Sequence, residues 1–245
     1  MFSFQSEVLF HLGFFKITNS AINTLLIDAI LIILCVIISK NIKTIPGMFQ
    51  NSVEIVIQMF YEITESVAQE KVKKIFPYFM SFFIFILLAN WSGLLPGVNS
   101  IGFFTHGELV PLLRSTTSDL NTTLGLALVS ALATHILSIR TVGLKDYLSR
   151  YFSFNPINLF IGFLEIISEI TKVVSLSFRL FGNIFAGEVV LLTVSSIFAF
   201  LFPLPFLFLE FIVGFVQALV FSMLTMSFMA ILTTPHRDIS TNENS

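Results

Sequence analysis

Charge is scarce in this sequence. Its 245 residues carry 13 Lys+Arg and 15 Asp+Glu, 11% of the chain, against roughly 25% in an ordinary soluble domain. Hydrophobic residues make up 55%, Phe alone accounts for 30 positions, and the mean hydropathy is +0.90. A soluble fold of this size cannot hide that much apolar surface from water. A soluble enzyme and a disordered chain are therefore excluded. So is a nucleic-acid binder, which would want a basic surface, because the formal net charge is −2. Cysteine is nearly absent: Cys35 stands by itself in an apolar run. That leaves no intrachain disulfide framework and no Cys/His zinc signature. The histidines have no metal-ligand spacing, so no metal and no cofactor is expected. No phosphate-binding glycine loop occurs, and nucleotide chemistry is not expected of this chain. The N-terminus lacks a basic stretch before its apolar residues and reads as mature protein, not a cleaved signal. The class that remains is an all-α polytopic membrane protein, one integral membrane domain over residues 1–245.

A span needs about 20 mostly apolar residues to cross roughly 30 Å of hydrocarbon. Spans are predicted at 20–39, around LLIDAILIILCVII, at 75–95, closed by Pro96 and Gly97, and at 120–139. A fourth apolar zone runs over 157–202, about 69 Å as continuous helix. It is either two spans with a turn near Gly182 and Asn183, or one long helix, tilted or bent. Pro203 and Pro205 bracket a turn, and a last long helix is predicted over 206–233. That gives about five crossing helices. Residues 47–74 differ. Phe49, Val53, Val56, Phe60, Ile63 and Val67 recur at steps of four and three, a helical apolar stripe. Glu54, Gln58, Glu62, Glu65 and Gln69 occupy another face. Lys71, Lys73 and Lys74 suit the C-terminal end of its dipole. The segment reads as an amphipathic helix at the interface, or as one packed on a soluble partner. Lys and Arg cluster in 40–74 and 140–155, whereas 96–118 carries only Arg114. The positive-inside rule places the first two segments in the cytoplasm and 96–118 outside.

The informative residues are the ionisable ones inside apolar zones: Asp28, Glu165, Glu169, Lys172, Arg179, Glu188 and Glu210. Insertion of Arg, Lys or Asp at a helix centre costs about 2.5–3.5 kcal/mol, so such residues are candidates for an ion pathway. At about 100° per residue, Glu165, Lys172 and Arg179 share roughly one helix face. Glu169 and Lys172, three apart, can pair. Glu188 falls about 180° from Arg179, so the two point into different environments. Gly182 and Ala186 form a small-xxx-small pair that admits a close neighbouring helix. Glu210 and Gln217 share a face of the last helix, with Gly214 between them. Arg179 as a snorkelling or structurally paired residue is the competing reading. A lone histidine such as His135 is more often structural than a proton relay. Asp28 has no assigned role.

The segment SLSFRLFGNIFAGEVV, residues 175–190, resembles the signature of subunit a of F-type ATP synthases. LLPG at 94–97, TSDLNTTLGLAL at 117–128, PINLF at 156–160 and VQALVFSMLT at 216–225 agree with that family. The resemblance covers roughly residues 20–236. It implies the stator half of a membrane motor, beside a ring of subunit c whose copies each carry a membrane carboxylate. It also implies assembly with the subunit b peripheral stalk and the rest of the F0F1 ATP synthase, amid lipid. The chain would not be catalytic alone. Protons would load ring carboxylates through one half-channel and leave by another. The family arginine maps onto Arg179, its neighbouring amide onto Asn183, the channel carboxylate onto Glu188 and the last-helix glutamine onto Gln217. Glu210 stands where some relatives carry His. Glu165, Asp119 and Lys172 are candidate lining residues. In this family the two long final helices are steeply tilted along the ring, which favours a single crossing for 157–202. Val173 follows Lys172 where many relatives have Pro, and Gly93 replaces an Asp of some relatives. These departures bear on a helix bend and minor lining.

The physics suits those roles. Arginine cannot be deprotonated in a protein, so it cannot itself pass a proton. A fixed positive charge favours the ionised form of an approaching carboxylate and repels a proton crossing directly between half-channels. The alternative is a secondary ion transporter using a midplane Arg–Glu pair. It would want inverted repeats, and no matching halves are seen. A non-transporting scaffold would have no need of buried Arg179, Glu188 and Glu210. The membrane expected is a bacterial plasma membrane, with an organelle inner membrane second.

Overall fold

In the computed structural model the described residues are 8–12, 15–94, 102–105, 108–111, 115–151, 156–197 and 202–234. Pro96, Gly97, Arg114, residues 198–201 and the Phe49 side chain lie outside them. Helices dominate. They are α1 (Asn19–Asn41), α2 (Met48–Ala68), α3 (Val72–Ser92), α4 (Leu120–Val142), α5 (Leu144–Tyr151), α6 (Pro156–Ile197) and α7 (Pro203–Leu232). Two short antiparallel hairpins join them: β1 (Val8–Leu12) with β2 (Phe15–Thr18), and β3 (Gly102–Thr105) with β4 (Glu108–Pro111). Among the described residues five helical stretches are long and apolar enough to cross a membrane, the second running from Gln50 through Ser92.

Local chemistry sets the helix ends. The Thr18 hydroxyl accepts from the Ala21 N–H at 3.3 Å, and Asp119 caps α4 through the Asn121 N–H at 2.9 Å. Gly143, at φ 95°, closes α4. Pro203 opens α7 and Pro205 lies within its first turn. The expected turn there is instead helix, because first-turn positions need no N–H donor. No glycine or proline separates α2 from α3. The break is Gln69, at φ 48°, followed by one 3-10 turn over Gln69–Lys71. The expected 47–74 helix therefore ends at Ala68. From that joint α2 folds back along α3: the Phe60 ring lies 5.7 Å from Phe79 and 4.8 Å from Phe83. Lys71 serves a different helix from the expected one, donating to the Thr233 carbonyl at the end of α7 at 2.6 Å.

The core is built from α3 and α7, with Phe79, Phe82, Phe83, Ile86, Phe221 and Met226 buried between their neighbours α4 and α6. α6 and α7 run antiparallel and α6 is continuous through Gly182 and Asn183. Its 42 residues make about 63 Å of helix, twice a perpendicular crossing. One end of the bundle gathers Lys71, Lys73, Lys74, Arg140 and Arg150, with Ser138 donating to the Leu232 carbonyl at 2.6 Å. This is the basic end. At the other, the Asp119 end, α1 is held by its first two turns: Asn19, Ser20, Asn23 and Ile27 are buried. Beyond Ile27 most of its side chains, Asp28 included, are exposed.

Candidate functional site: a polar seam between the two long helices

Asn183 on α6 donates through Nδ2 to Gln217 Oε1 on α7 at 2.7 Å. One turn further along α6, Gly187 lies directly against the Glu210 carboxyl. A Cβ at Gly187 would meet Glu210 Oε1 at 2.6 Å. Glu210 and Gln217 are buried, at 5% and 4% exposure. Glu210 Oε2 and Gln217 Nε2 find no hydrogen-bond partner among the described residues. Buried polar atoms are nearly always satisfied, so two orphans in one seam set it apart from the rest of the described core. Glu188 is half-buried and close enough to Glu210 for their charges to interact.

Arg179 points elsewhere. It is exposed and makes no hydrogen bond or ion pair among the described residues. It borders an open groove of about 420 Å³ along α6, with Ser168, Thr171, Lys172 and Ser175 lining the way to it. The seam and the groove thus lie on different sides of one helix. Gly182 has open space where a side chain would be, and Ala186 is exposed. Within this chain the close helix contact is made by Gly187, not by the expected Gly182 and Ala186 pair.

A second set of polar groups reaches the seam from the Asp119 end. Ser20 Oγ donates to Asp119 Oδ2 at 3.0 Å, and Asn23 Nδ2 donates to Ser92 Oγ at 2.9 Å and to Thr116 Oγ1 at 3.2 Å. Thr117 donates to Asn90 Oδ1, and Asn90 Nδ2 donates to the Gly214 carbonyl, each at 2.8 Å. Gly214 lies between Glu210 and Gln217 on α7. Asp119 and Asn90 thus belong to separate polar clusters at this end, and the Asn90 cluster meets α7 at Gly214. Asn23, Asn90 and Thr116 carried no sequence reading as site residues. The one available signal was amide and hydroxyl side chains standing in apolar helices.

At the basic end, Glu165 Oε1 stands 2.7 Å from Arg150 Nε, a charge contact without the alignment of a hydrogen bond. Glu169 takes the Lys172 ammonium at 2.8 Å, and Lys172 also lies 4.5 Å from the centre of the Phe228 ring. Lys172 is thereby held on the groove wall. α5 adds Tyr147 and Tyr151, rings 5.3 Å apart. Burial, and then the neighbouring Tyr147 hydroxyl, pushes the Tyr151 phenol far above its usual range, so it stays neutral.

Residues 21–230 match the family described as ATP synthase A chain. The chain belongs to that family. It is 32% identical over 222 residues to ATP synthase subunit a of Moorella thermoacetica, covering 91% of this chain and 94% of that protein. It is likewise 32% identical over 225 residues to ATP synthase subunit a 2 of Pelobacter propionicus, covering 92% and 91%. Membership ties the chain to proton transport in ATP synthesis and to a membrane. The seam between its two longest helices gains its interest from that membership.

Proposed function

We propose that this chain is the stator proton channel of a rotary F-type ATP synthase, itself without catalytic activity. It pairs with a ring of subunit c and with the subunit b stalk, in a bacterial plasma membrane. Arg179 faces the ring and separates two half-channels. The observation that carries this reading is the division of α6: unpaired Arg179 on an open groove, and orphaned Glu210 and Gln217 on the buried seam.

The seam serves as the inlet. Protons reach it past Asp119 and the hydroxyl–amide chain ending at Asn90. Glu188 and Glu210 each take up a proton as carboxylate and release it as acid. The Asn183–Gln217 bond holds the helices in register and leaves Gln217 Nε2 to orient a water. The loaded ring carboxylate carries the proton around. On returning to Arg179 it is favoured in its ionised form and releases its proton to the groove. Ser168, Thr171, Ser175, Lys172 and Glu165 line that outlet. Arg179 contributes charge and a fork of donors without passing a proton itself. Open space at Gly182 and the exposed Ala186 admit a closely approaching ring helix.

The test is ATP-driven proton pumping in inverted membrane vesicles, native chain against Arg179→Ala. Insertion is verified by immunoblot. Loss of pumping with normal insertion and intact ATP hydrolysis by the soluble head is expected. Undiminished pumping would make Arg179 structural and sink the assignment.

A further inference from the structure

Four side chains outside the seam form a line of polar groups from the surface of α5 to the groove wall. Tyr147 Oη and His135 Nδ1 are 2.9 Å apart. His135 Nε2 stands 3.8 Å from Glu169 Oε2. Glu169 Oε1 accepts from Lys172 Nζ at 2.8 Å. Lys172 then borders the same groove as Arg179. The path joins α4, α5 and α6 at the basic end. His135 and Glu169 are neither sealed nor fully open, with side chains 27% and 16% exposed. Both can exchange protons with water and still be held in place.

We infer that His135 and Glu169 form a proton-exchange station at the cytoplasmic mouth of the Arg179 groove, passing protons between groove water and bulk buffer. The inference rests on the channel reading above and adds its terminal carriers. Hydrogen placement on the imidazole is set by its neighbours. With Nδ1–H donating to the Tyr147 oxygen, Nε2 is the free acceptor facing Glu169. A proton from groove water converts the Glu169 carboxylate to the acid. Through a water bridging the 3.8 Å gap, the acid gives it to Nε2, leaving carboxylate and imidazolium, and the imidazolium releases it to water or buffer. The reverse order serves ATP-driven pumping. Histidine suits this work because its charge changes near physiological pH.

The surroundings of the pair explain why it sits here. Lys172 and Arg150 supply positive charge from α6 and α5, and Glu165 and Glu169 supply negative charge. α5 also carries Tyr147, Tyr151, Lys145 and Asp146, and α7 contributes the apolar Phe228 ring. Lys172, itself on the groove wall, holds Glu169 beside it, and Tyr147 fixes the imidazole ring.

The test uses the assembled ATP synthase in inverted vesicles, whose outer face is the cytoplasmic one. ATP-driven pumping is followed in weakly buffered alkaline medium, where proton delivery to the mouth limits the rate. His135→Gln and Glu169→Gln are expected to slow pumping about three-fold or more, with ATP hydrolysis by the detached head unchanged. Added imidazole should restore the rate, which a merely structural defect would not allow. Glu169→Asp, which keeps a carboxylate on a shorter arm, should recover part of the rate lost in Glu169→Gln. Native rates for both Gln variants in weak buffer, or slow rates that imidazole leaves unchanged, would overturn the station. An Arg179→Ala control separates the two ideas. Its loss of pumping beside normal Gln variants removes only the station, whereas undiminished pumping in that control removes the channel reading.

Discussion

Glu210 rests on Gly187: the α7 carboxyl occupies the space that a side chain on α6 would fill, 2.6 Å from the missing Cβ to Oε1. A buried carboxyl with one unpartnered oxygen is therefore placed by the absence of an atom. Gly187→Ala forces the carboxyl or the helix to move. Pumping by the assembled complex should fall about ten-fold, since small misplacements at a reacting group are costly. Shortening the acid in Gly187→Ala/Glu210→Asp should recover part of it. Equal pumping in native and Gly187→Ala complexes would show that the contact is not needed.

Asn183 and Gln217 form the side-chain bond between α6 and α7 within the seam. Asn183→Ala or Gln217→Ala should each destabilise the chain by roughly 0.5–1.5 kcal/mol. The double variant should cost less than the sum, because both single changes remove one interaction. Chemical denaturation in detergent measures the cycle, and strict additivity would disprove the pairing.

Asn90 is buried, accepts from Thr117 and donates to the Gly214 carbonyl. Asn90→Ala removes one hydrogen bond from each of two buried groups, the Thr117 hydroxyl and the Gly214 carbonyl. A loss of about 1–3 kcal/mol is expected, larger than for the exposed Asn41→Ala. Thermal unfolding of the two purified variants, compared side by side, decides.

Gly162 carries the backbone approach of α5 to α6. A Cβ there would run into the Tyr151 carbonyl, a rigid neighbour that cannot swing aside. Gly162→Ala should lift α5 from α6 and expose the 143–156 region to protease. The chain should remain inserted. Unchanged cleavage rates would mean that α5 accommodates the methyl in place.

Much of the fold was legible because the membrane simplifies the code. Apolar length alone marks the crossing helices, and every ionisable residue inside them stands out. The continuity of α6 through Gly182 and Asn183 was open from composition, since glycine and asparagine also suit a turn. It took the resemblance to favour one crossing. Other features were hidden. Gln69 breaks α2 from α3 with neither glycine nor proline, so no local signal announced the joint. Lys71 looked like a cap for its own helix and instead serves Thr233, 162 positions away. The helical wheel separated Arg179 from Glu188, because that geometry lies within one helix. It could not place Gly187 under Glu210 or Asn90 against Gly214, because those contacts are made between helices distant in sequence.

α7 is fastened to α3 at two levels. Near one end Asn90 grips the Gly214 carbonyl and Trp91 donates to the Phe211 carbonyl at 3.2 Å while stacking on its ring; at the other Lys71 holds the Thr233 carbonyl. A sideways push on α7 is thus carried into α3 at both ends, as a beam clamped at two supports carries load. α6 is tied instead to α4 and α5, where Glu169 meets His135 and Glu165 meets Arg150, and bears its groove on the open side. These two separately anchored helices meet at Asn183 and Gln217, so a displacement of one against the other would be felt at that bond.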